Sequence, residues 1–185
     1  MEFEKHSATN LKSTDTKENL PDPTGVLRGF KAIGYSIEEA LSDLIDNSID
    51  AKAKNVVIEF GRSDEDLLFI RVIDDGEGIH PDHIDTAMKW GGRSAKDNKS
   101  LGRFGLGMKT AAFAIGDSLT VVSKASKKKA IGRRWTAKNI EAGWKQDYLE
   151  DSAADDWLKM DYGSISLTKS GTVIQLDNIQ EFNIA

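Results

Sequence analysis

A change of periodicity between residues 36 and 60 constrains the fold of this chain more than any other feature. Ser36 and Glu39 form the S-x-x-E pattern of a capping box, which predicts a helix from about Ile37 to about Lys52. The next segments, "NVVIEF" and "LLFIRVID", are rich in β-branched and aromatic residues, which is typical of strands. A helix that leads directly into two strands is expected to pack on their sheet.

Similar patterns predict the remaining helices and strands. Pro81 can begin a helix, "PDHIDTAMKW", because the first helical position needs no backbone donor. Helices are also expected in "GLGMKTAAFAIG" and "SAADDWLKM", and strands in "SLTVVSKA", "KKAIGRRWTA", "GWKQDYLE" and "GTVIQLDNI", whereas "PDPTG" indicates a turn. We therefore predict an α+β fold, a two-layer sandwich with helices on one face of a mixed, mostly antiparallel sheet.

The length and composition fit one globular domain. The chain has 185 residues, of which 39% are hydrophobic and 30% are charged, so it can form a sizeable core. Residues 1–20 are polar and lack periodicity. We expect a flexible N-terminal arm over residues 1–20 and a single domain over residues 21–185.

Charge and cysteine content exclude several classes of function. The net charge of −5 argues against a large nucleic-acid interface, and the basic run at residues 123–134 is best explained by solvated lysines of an edge strand. The sequence has no cysteine, which excludes disulfides and thiolate chemistry. No apolar run is long enough for a membrane span and the N-terminus does not resemble a signal peptide, so we expect a cytoplasmic protein.

One face of the first predicted helix carries polar groups at a suggestive spacing. Asp43, Asn47 and Asp50 fall within an arc of about 60° at about 100° per residue, opposite Leu41 and Leu44. A solvated outer face is the ordinary explanation for such carboxylates. Asparagine, however, is unfavourable in the middle of a helix, and an amide flanked by carboxylates suits oxygen ligation of a hard divalent cation. On this segment alone both interpretations stay open.

The segment "VIDDGEGI" combines a strand end with two glycines. Asp74 ends the predicted strand and could accept a hydrogen bond at the floor of a pocket. Gly76 and Gly78 would allow a flat ligand to approach the backbone closely. An ordinary turn at the end of a strand is the alternative.

A second glycine-rich segment precedes the predicted helix in "GRFGLGMKTAAFAIG". Gly102, Gly105 and Gly107 would leave backbone N–H groups free for a phosphate at the helix N-terminus. The segment is not a P-loop, because Met108 separates Gly107 from Lys109 and the pattern G-x-x-x-x-G-K-[ST] fails by one residue. The long polar stretch before it favours a functional lid over a plain connection.

Four segments in this order resemble the motifs of the GHKL (Bergerat-fold) ATPases. They are "DLIDNSIDA", "DDGEGI", "GRFGLGMKTA" and "SGTVIQL". The superfamily includes DNA gyrase, the ninety-kilodalton heat-shock chaperones, sensor histidine kinases and MutL, and the lysine in "GxxGxGxKTA" is most similar to the Microrchidia and heat-shock branch. The resemblance covers residues 33–176 and implies the Bergerat fold, ATP binding and Mg²⁺-dependent ATP hydrolysis.

The resemblance also implies roles for single residues. Asn47 matches the asparagine that binds Mg²⁺, and Asp74 matches the aspartate that hydrogen-bonds the adenine amino group. Thr172 matches the threonine that supports this aspartate, and Lys109 resembles a lysine that approaches the terminal phosphates. The other nucleotide-binding positions implied by the match are Asp50, Ala51, Gly76, Gly78, Gly102, Gly105 and Gly107.

The chain departs from the family at Asp43. Hydrolysing members generally carry glutamate four residues before the magnesium asparagine, where it acts as the general base, and here the side chain is one methylene shorter. A general base must come within hydrogen-bond reach of the water. We predict that Asp43 is the base of a slow ATPase, with ATP binding without turnover as the alternative. A histidine-kinase-type domain is a third reading, which the carboxylate disfavours.

The resemblance implies further partners and motions. We expect ATP and ADP as ligands, a lid over about residues 90–104 that closes on ATP, and an ATP-dependent homodimer. In gyrase, MutL and the heat-shock branch a following domain usually supplies a further catalytic lysine or arginine. This chain stops soon after the last motif, so we expect a downstream domain to be missing from it.

Overall fold

The computed structural model describes residues 15, 17, 19–63, 66–91 and 107–180. Within them the chain forms six helices and six strands. The helices are α1 (Pro23–Ala32), α2 (Ile37–Asp50), α3 (Pro81–Met88), α4 (Gly107–Ile115), α5 (Ala137–Glu141) and α6 (Asp151–Leu158). The strands are β1 (Val56–Arg62), β2 (Leu67–Asp74), β3 (Ser118–Lys124), β4 (Ile131–Thr136), β5 (Asp147–Tyr148) and β6 (Gly171–Asp177). The predicted N-terminal arm lies mostly outside the described residues.

The six strands form one sheet in the order β1-β2-β6-β3-β4-β5. Every pairing between these strands is antiparallel. The last strand, β6, lies at the centre, where it pairs with both β2 and β3. This position puts Thr172 in register with Asp74 on one side and with Ser123 on the other.

The larger core lies between the sheet and helices α1 to α5. Val72, Ile174 and Val121 are neighbours across three strands and belong to the same apolar cluster as Leu44 of α2 and Phe113 of α4. Burial of these apolar side chains stabilises the two layers against each other. The predicted α+β two-layer sandwich is confirmed.

The opposite face of the sheet has a smaller core. Ile73, Val173 and Val122 are neighbours on this face, and α6 packs on them through Ala154 and Leu158. These two residues are one helical turn apart, so they form an apolar stripe that fits the sheet. Helix α6 therefore lies on the other face from the remaining helices, a detail that its short sequence pattern did not reveal.

Helix ends follow local sequence signals. The capping box at the start of α2 is confirmed, because the Ser36 N–H donates to Glu39 at 2.8 Å and the Glu39 N–H donates to Ser36 Oγ at 3.2 Å. The turn predicted at "PDPTG" is wrong, since Asp22 accepts from the Gly25 N–H at 2.6 Å and caps α1. None of the helices in the described ranges is long and apolar enough to cross a membrane.

Candidate functional site

Asp74 forms the floor of the candidate site. It is the last residue of β2, and only 3% of its surface is exposed. Its Oδ1 accepts from the Gly76 N–H at 2.9 Å, and its Oδ2 accepts from the Ser48 hydroxyl at 3.3 Å. Burial raises its pKa to about 6, against the opposing effect of these two donors. No cation of the described residues pairs with it, so Asp74 is a buried acceptor supported only by neutral donors.

The turn after Asp74 packs tightly against the end of α2. A Cβ atom at Gly76 would lie 2.7 Å from the Ala51 carbonyl oxygen and 2.8 Å from Asp74 Oδ1. The Glu77 N–H donates to the same Ala51 oxygen at 2.8 Å. Gly78 has φ +69°, and a Cβ there would lie 2.0 Å from the Lys124 carbonyl oxygen. Close packing therefore explains why both positions have glycine rather than a residue with a side chain. The approach of these glycines to a ligand stays a prediction.

A network of buried hydroxyls supports the same part of the sheet. Ser123 Oγ accepts from the Ile79 N–H at 2.8 Å and donates to the Gly171 carbonyl oxygen at 3.0 Å. Since its only hydrogen is then used, Thr172 must donate to Ser123 across their 2.9 Å contact. No direct hydrogen bond joins Thr172 to Asp74 among the described atoms. The two residues are register partners, so the predicted support of Asp74 by Thr172 would need an intermediary such as water.

The other end of the site lies on the middle of α2. Asn47 donates its side-chain N–H to the Asp43 carbonyl oxygen at 2.9 Å, so its Oδ1 takes no part in this contact. This oxygen has no hydrogen-bond partner within the described ranges. Asp43 Oδ2 accepts from the Tyr35 hydroxyl at 2.8 Å, and a Cβ at Gly107 would lie 3.4 Å from the same oxygen. The carboxylate of Asp43 therefore lies at the N-terminus of α4.

The two ends are connected through α2. Asp43 and Ala51 are separated by about 12 Å along the helix at 1.5 Å per residue. Asp50 is half-buried near the Ala51 end, and its carboxylate has no hydrogen-bond partner in the described structure. One helix thus connects a buried acceptor at its C-terminal end with the amide oxygen of Asn47 and with the carboxylate of Asp43, which lies beside a helix N-terminus. That terminus is favourable for negative charge.

Lys109 lies in the interior rather than on the surface. Only 1% of it is exposed, and its Nζ donates to the Ala87 carbonyl oxygen of α3 at 2.6 Å. Burial lowers its pKa to about 8. The described contact stabilises the end of α3, and the approach of Lys109 to terminal phosphates stays a prediction.

Part of the predicted site lies outside the described residues. This applies to Gly102 and Gly105 and to almost all of the predicted lid. Its first residue, Trp90, is described and stacks on Phe30 with ring centroids 5.3 Å apart. Phe113, Trp135 and Trp144 surround the same indole. Trp90 therefore belongs to the core against which α1 and α4 pack.

The sequence did not single out three residues that contact the predicted ones. Ser48 is a buried residue of α2, and a hydroxyl on an apolar helix face is itself a signal of a polar neighbour. Ser123 interrupts the apolar run of β3 in the same way. Tyr35 precedes the helix, so no periodicity connects it with Asp43.

The donor set fits Mg²⁺ and a phosphate ligand. Within the described part of the chain, no group of three histidine or acidic residues could hold a metal ion by itself. The side-chain oxygen of Asn47 takes no part in the hydrogen bond to the Asp43 carbonyl oxygen, and the Asp43 carboxylate lies beside the first residue of α4. Mg²⁺ usually takes one or two protein oxygens and completes its octahedron with water and phosphate oxygens, so a sparse protein donor set suits it.

Comparison with known proteins identifies relatives of part of this chain. ATPase morc-1 of Caenorhabditis elegans is 35% identical over 85 residues, which are 46% of this chain and 10% of that protein. The DNA mismatch repair protein MutL of Clostridium perfringens is 45% identical over 59 residues, 30% of this chain and 8% of MutL. MutL of Clostridium botulinum is 48% identical over 59 residues, 30% of this chain and 9% of MutL. The chain thus spans about a tenth of the length of these relatives.

A family model covers most of the chain. It describes the histidine kinase-, DNA gyrase B-, and HSP90-like ATPases and matches residues 35–172. This range begins just before α2 and ends at Thr172, so it contains both ends of the candidate site. The predicted resemblance to the GHKL ATPases is confirmed, and the relatives fit its Microrchidia-like branch. The chain belongs to the family of histidine kinase-, DNA gyrase B- and HSP90-like ATPases.

Proposed function

We propose that this domain binds ATP with Mg²⁺, hydrolyses it slowly and acts as an ATP-gated conformational switch. The observation that carries the proposal is the buried carboxylate of Asp74 at the floor of the site. Its two oxygens accept from Gly76 and Ser48, and neither donor carries a charge. A ligand that donates a further N–H would stabilise the ionised form of Asp74, because hydrogen bonds to a buried charged group are stronger than those between neutral groups.

Adenine fits this acceptor through its exocyclic amino group. The Gly76 turn leaves no space for a side chain between Asp74 and Ala51, so the backbone forms a compact wall of the site. Asp74 would fix the orientation of the base by accepting from the amino group. Guanine carries an oxygen at the corresponding position and would place an acceptor against the carboxylate, which predicts a preference for adenine nucleotides.

The phosphates would lie toward the middle of α2. Asn47 would supply a ligand to Mg²⁺, which when bound neutralises negative charge on the phosphate oxygens. Asp43 would accept the proton of the water whose oxygen bonds to the terminal phosphorus, while the bond from that phosphorus to the ADP oxygen breaks. The short side chain of Asp43 favours a low rate, since a displacement of ~1 Å can cost ~100-fold.

The switch would couple nucleotide binding to assembly. Helices α2 and α4 meet where Gly107 approaches Asp43. Residues 92–106, which include most of the predicted lid, precede α4 directly in the chain. We infer that ATP orders this junction and favours a homodimer. In the alternative, ATP binding without turnover, the switch would still respond to ATP, but hydrolysis would not end the ATP-bound state.

Calorimetry of adenosine and MgATP tests the binding part of the proposal. We expect parent protein to bind both, and Asp74→Asn to weaken both by at least about 10-fold, since one hydrogen bond to a charged group is worth about 1.5–3 kcal/mol. Asp156→Asn is the matched control, because Asp156 is exposed on α6, on the other side of the sheet. Equal affinities in parent and Asp74→Asn would refute the adenine site.

Phosphate release tests the hydrolytic part. Asp43→Ala should retain MgATP affinity and reduce turnover by about 10²- to 10⁴-fold, as expected for loss of a positioned base. Light scattering with and without a non-hydrolysable ATP analogue tests the homodimer. Turnover that is unchanged in Asp43→Ala would exclude Asp43 as the base, and binding with no turnover would favour the alternative.

A further inference from the structure

Tyr35 contacts the carboxylate that the proposed mechanism uses as a base. Its hydroxyl donates to Asp43 Oδ2 at 2.8 Å. The side chain is half-buried and packs against the main core. Tyr35 directly precedes Ser36, whose capping box fixes the start of α2. The packing of the ring and the adjacent capping box therefore both restrict the position of the hydroxyl relative to Asp43.

The two carboxylate oxygens of Asp43 have different contacts. Oδ2 accepts from Tyr35 and lies toward Gly107, the first residue of α4. Oδ1 accepts no hydrogen bond from the described residues. A carboxylate with one oxygen held by a phenol has a defined plane, and its second oxygen is available to a water molecule.

We propose that Tyr35 is a positioning residue for Asp43, which holds one carboxylate oxygen so that the other is directed at the attacking water. This inference rests on the proposed function. It also explains how an aspartate can act as the general base where the family generally has glutamate. A fixed carboxylate plane partly compensates for the shorter reach of the side chain toward the water. The hydrogen bond with Asp43 raises the pKa of Tyr35, which keeps the phenol protonated as a donor.

The hydrogen bond can be tested without turnover. The chain has three tyrosines, so the hydroxyl-bearing ring carbon of Tyr35 can be assigned in a ¹³C-tyrosine-labelled protein by its loss in Tyr35→Phe. We expect Asp43→Asn to shift the Tyr35 signal and to leave that of Tyr148 unchanged, because Tyr148 is an exposed residue of β5. An unshifted Tyr35 signal in a folded Asp43→Asn protein would overturn the proposal.

Steady-state phosphate release tests the catalytic consequence. Tyr35→Phe should lower kcat by about 10- to 100-fold with KM changed less than about twofold, because the nucleotide contacts are retained and only the base is displaced. In an Asp43→Ala background the same substitution should have no further effect. Tyr148→Phe, which also removes one hydroxyl, should match the parent.

The outcomes separate this inference from the proposed function. A kcat unchanged in Tyr35→Phe, while Asp43→Ala is impaired, would overturn the positioning role and leave ATP hydrolysis intact. An additive effect of Tyr35→Phe in the Asp43→Ala background would also overturn it, because Tyr35 would then act by another route. Absence of phosphate release by the parent would refute hydrolysis and the positioning role together, and the ring-carbon signal would still report whether the contact exists.

Discussion

Asp74→Asn should stabilise the ligand-free domain at neutral pH, although it removes the proposed contact with adenine. Burial raises the pKa of Asp74 from 3.8 to about 6, so the folded state binds the proton more tightly than the unfolded state does. Below pH 3.8 the group is protonated in both states and does not penalise folding. As the pH rises through about 6, the folded domain loses stability, and the loss stays constant above that pH.

The size of the effect follows from the pKa and the local contacts. At about 1.36 kcal/mol per unit, the rise to about 6 corresponds to a loss of about 3 kcal/mol at pH 7 and above. The amide can accept from the Gly76 N–H as the carboxylate does. Its N–H can donate to Ser48 Oγ if the Ser48 hydroxyl donates to the Leu44 carbonyl oxygen, which lies 3.4 Å away. Because this rearranged contact is long, we expect Asp74→Asn to raise the unfolding free energy by only about 1–2 kcal/mol relative to the parent.

Urea unfolding at several pH values measures the effect. The difference in unfolding free energy between Asp74→Asn and parent should be small or negative near pH 4 and positive by about 1–2 kcal/mol at pH 7.5. Asp156→Asn should show no such trend, which separates the buried carboxylate from a general effect of charge. A variant that is less stable than the parent at pH 7.5, or a difference independent of pH, would show that burial does not destabilise the ionised carboxylate of Asp74.

Three further predictions concern neighbouring residues. Asn47→Ala should weaken MgATP binding and leave adenosine binding unchanged in calorimetry, and equal losses for both ligands would exclude a metal role. Gly76→Ala should lower the unfolding free energy by about 1–3 kcal/mol in urea titration, because its Cβ would lie 2.7 Å from the Ala51 carbonyl oxygen; unchanged stability would contradict this packing. Ser123→Ala should cost about 1–3 kcal/mol in the same assay by leaving the Ile79 N–H and the Thr172 hydroxyl without their partner. An effect below 0.5 kcal/mol would mean that water replaces the serine oxygen.

Signals within a few residues of one another predicted much of the fold. The capping box located the start of α2, and apolar segments located the strands, because both depend on local geometry. The turn predicted at Asp22 and Pro23 was wrong for a physical reason. Aspartate followed by proline is compatible with a β-turn and also with the start of a helix. Only the packing of α1 on the core favours the helix.

Contacts between distant segments could not be predicted in the same way. Sequence order does not show that β6 lies between β2 and β3, since this depends on which strands pair. Helix α5 has five residues, too few for periodicity to reveal it. In the candidate site, residue patterns and the resemblance together predicted roles for Asp74 and Asn47, whereas the Ser48 and Tyr35 hydroxyls that contact Asp74 and Asp43 depend on the three-dimensional packing.

The central position of β6 has a consequence for synthesis. The ribosome makes β1 and β2, and later β3 and β4, well before the strand that joins the two pairs. Until residues 171–177 leave the exit tunnel, each half of the sheet exposes an edge that is prone to pair with another chain. The row that brings Asp74 beside Thr172 forms only afterwards, so the proposed nucleotide site can be completed only once β6 has left the tunnel. A nascent chain stalled before Gly171 should be a poor ATP binder and a good substrate for chaperones.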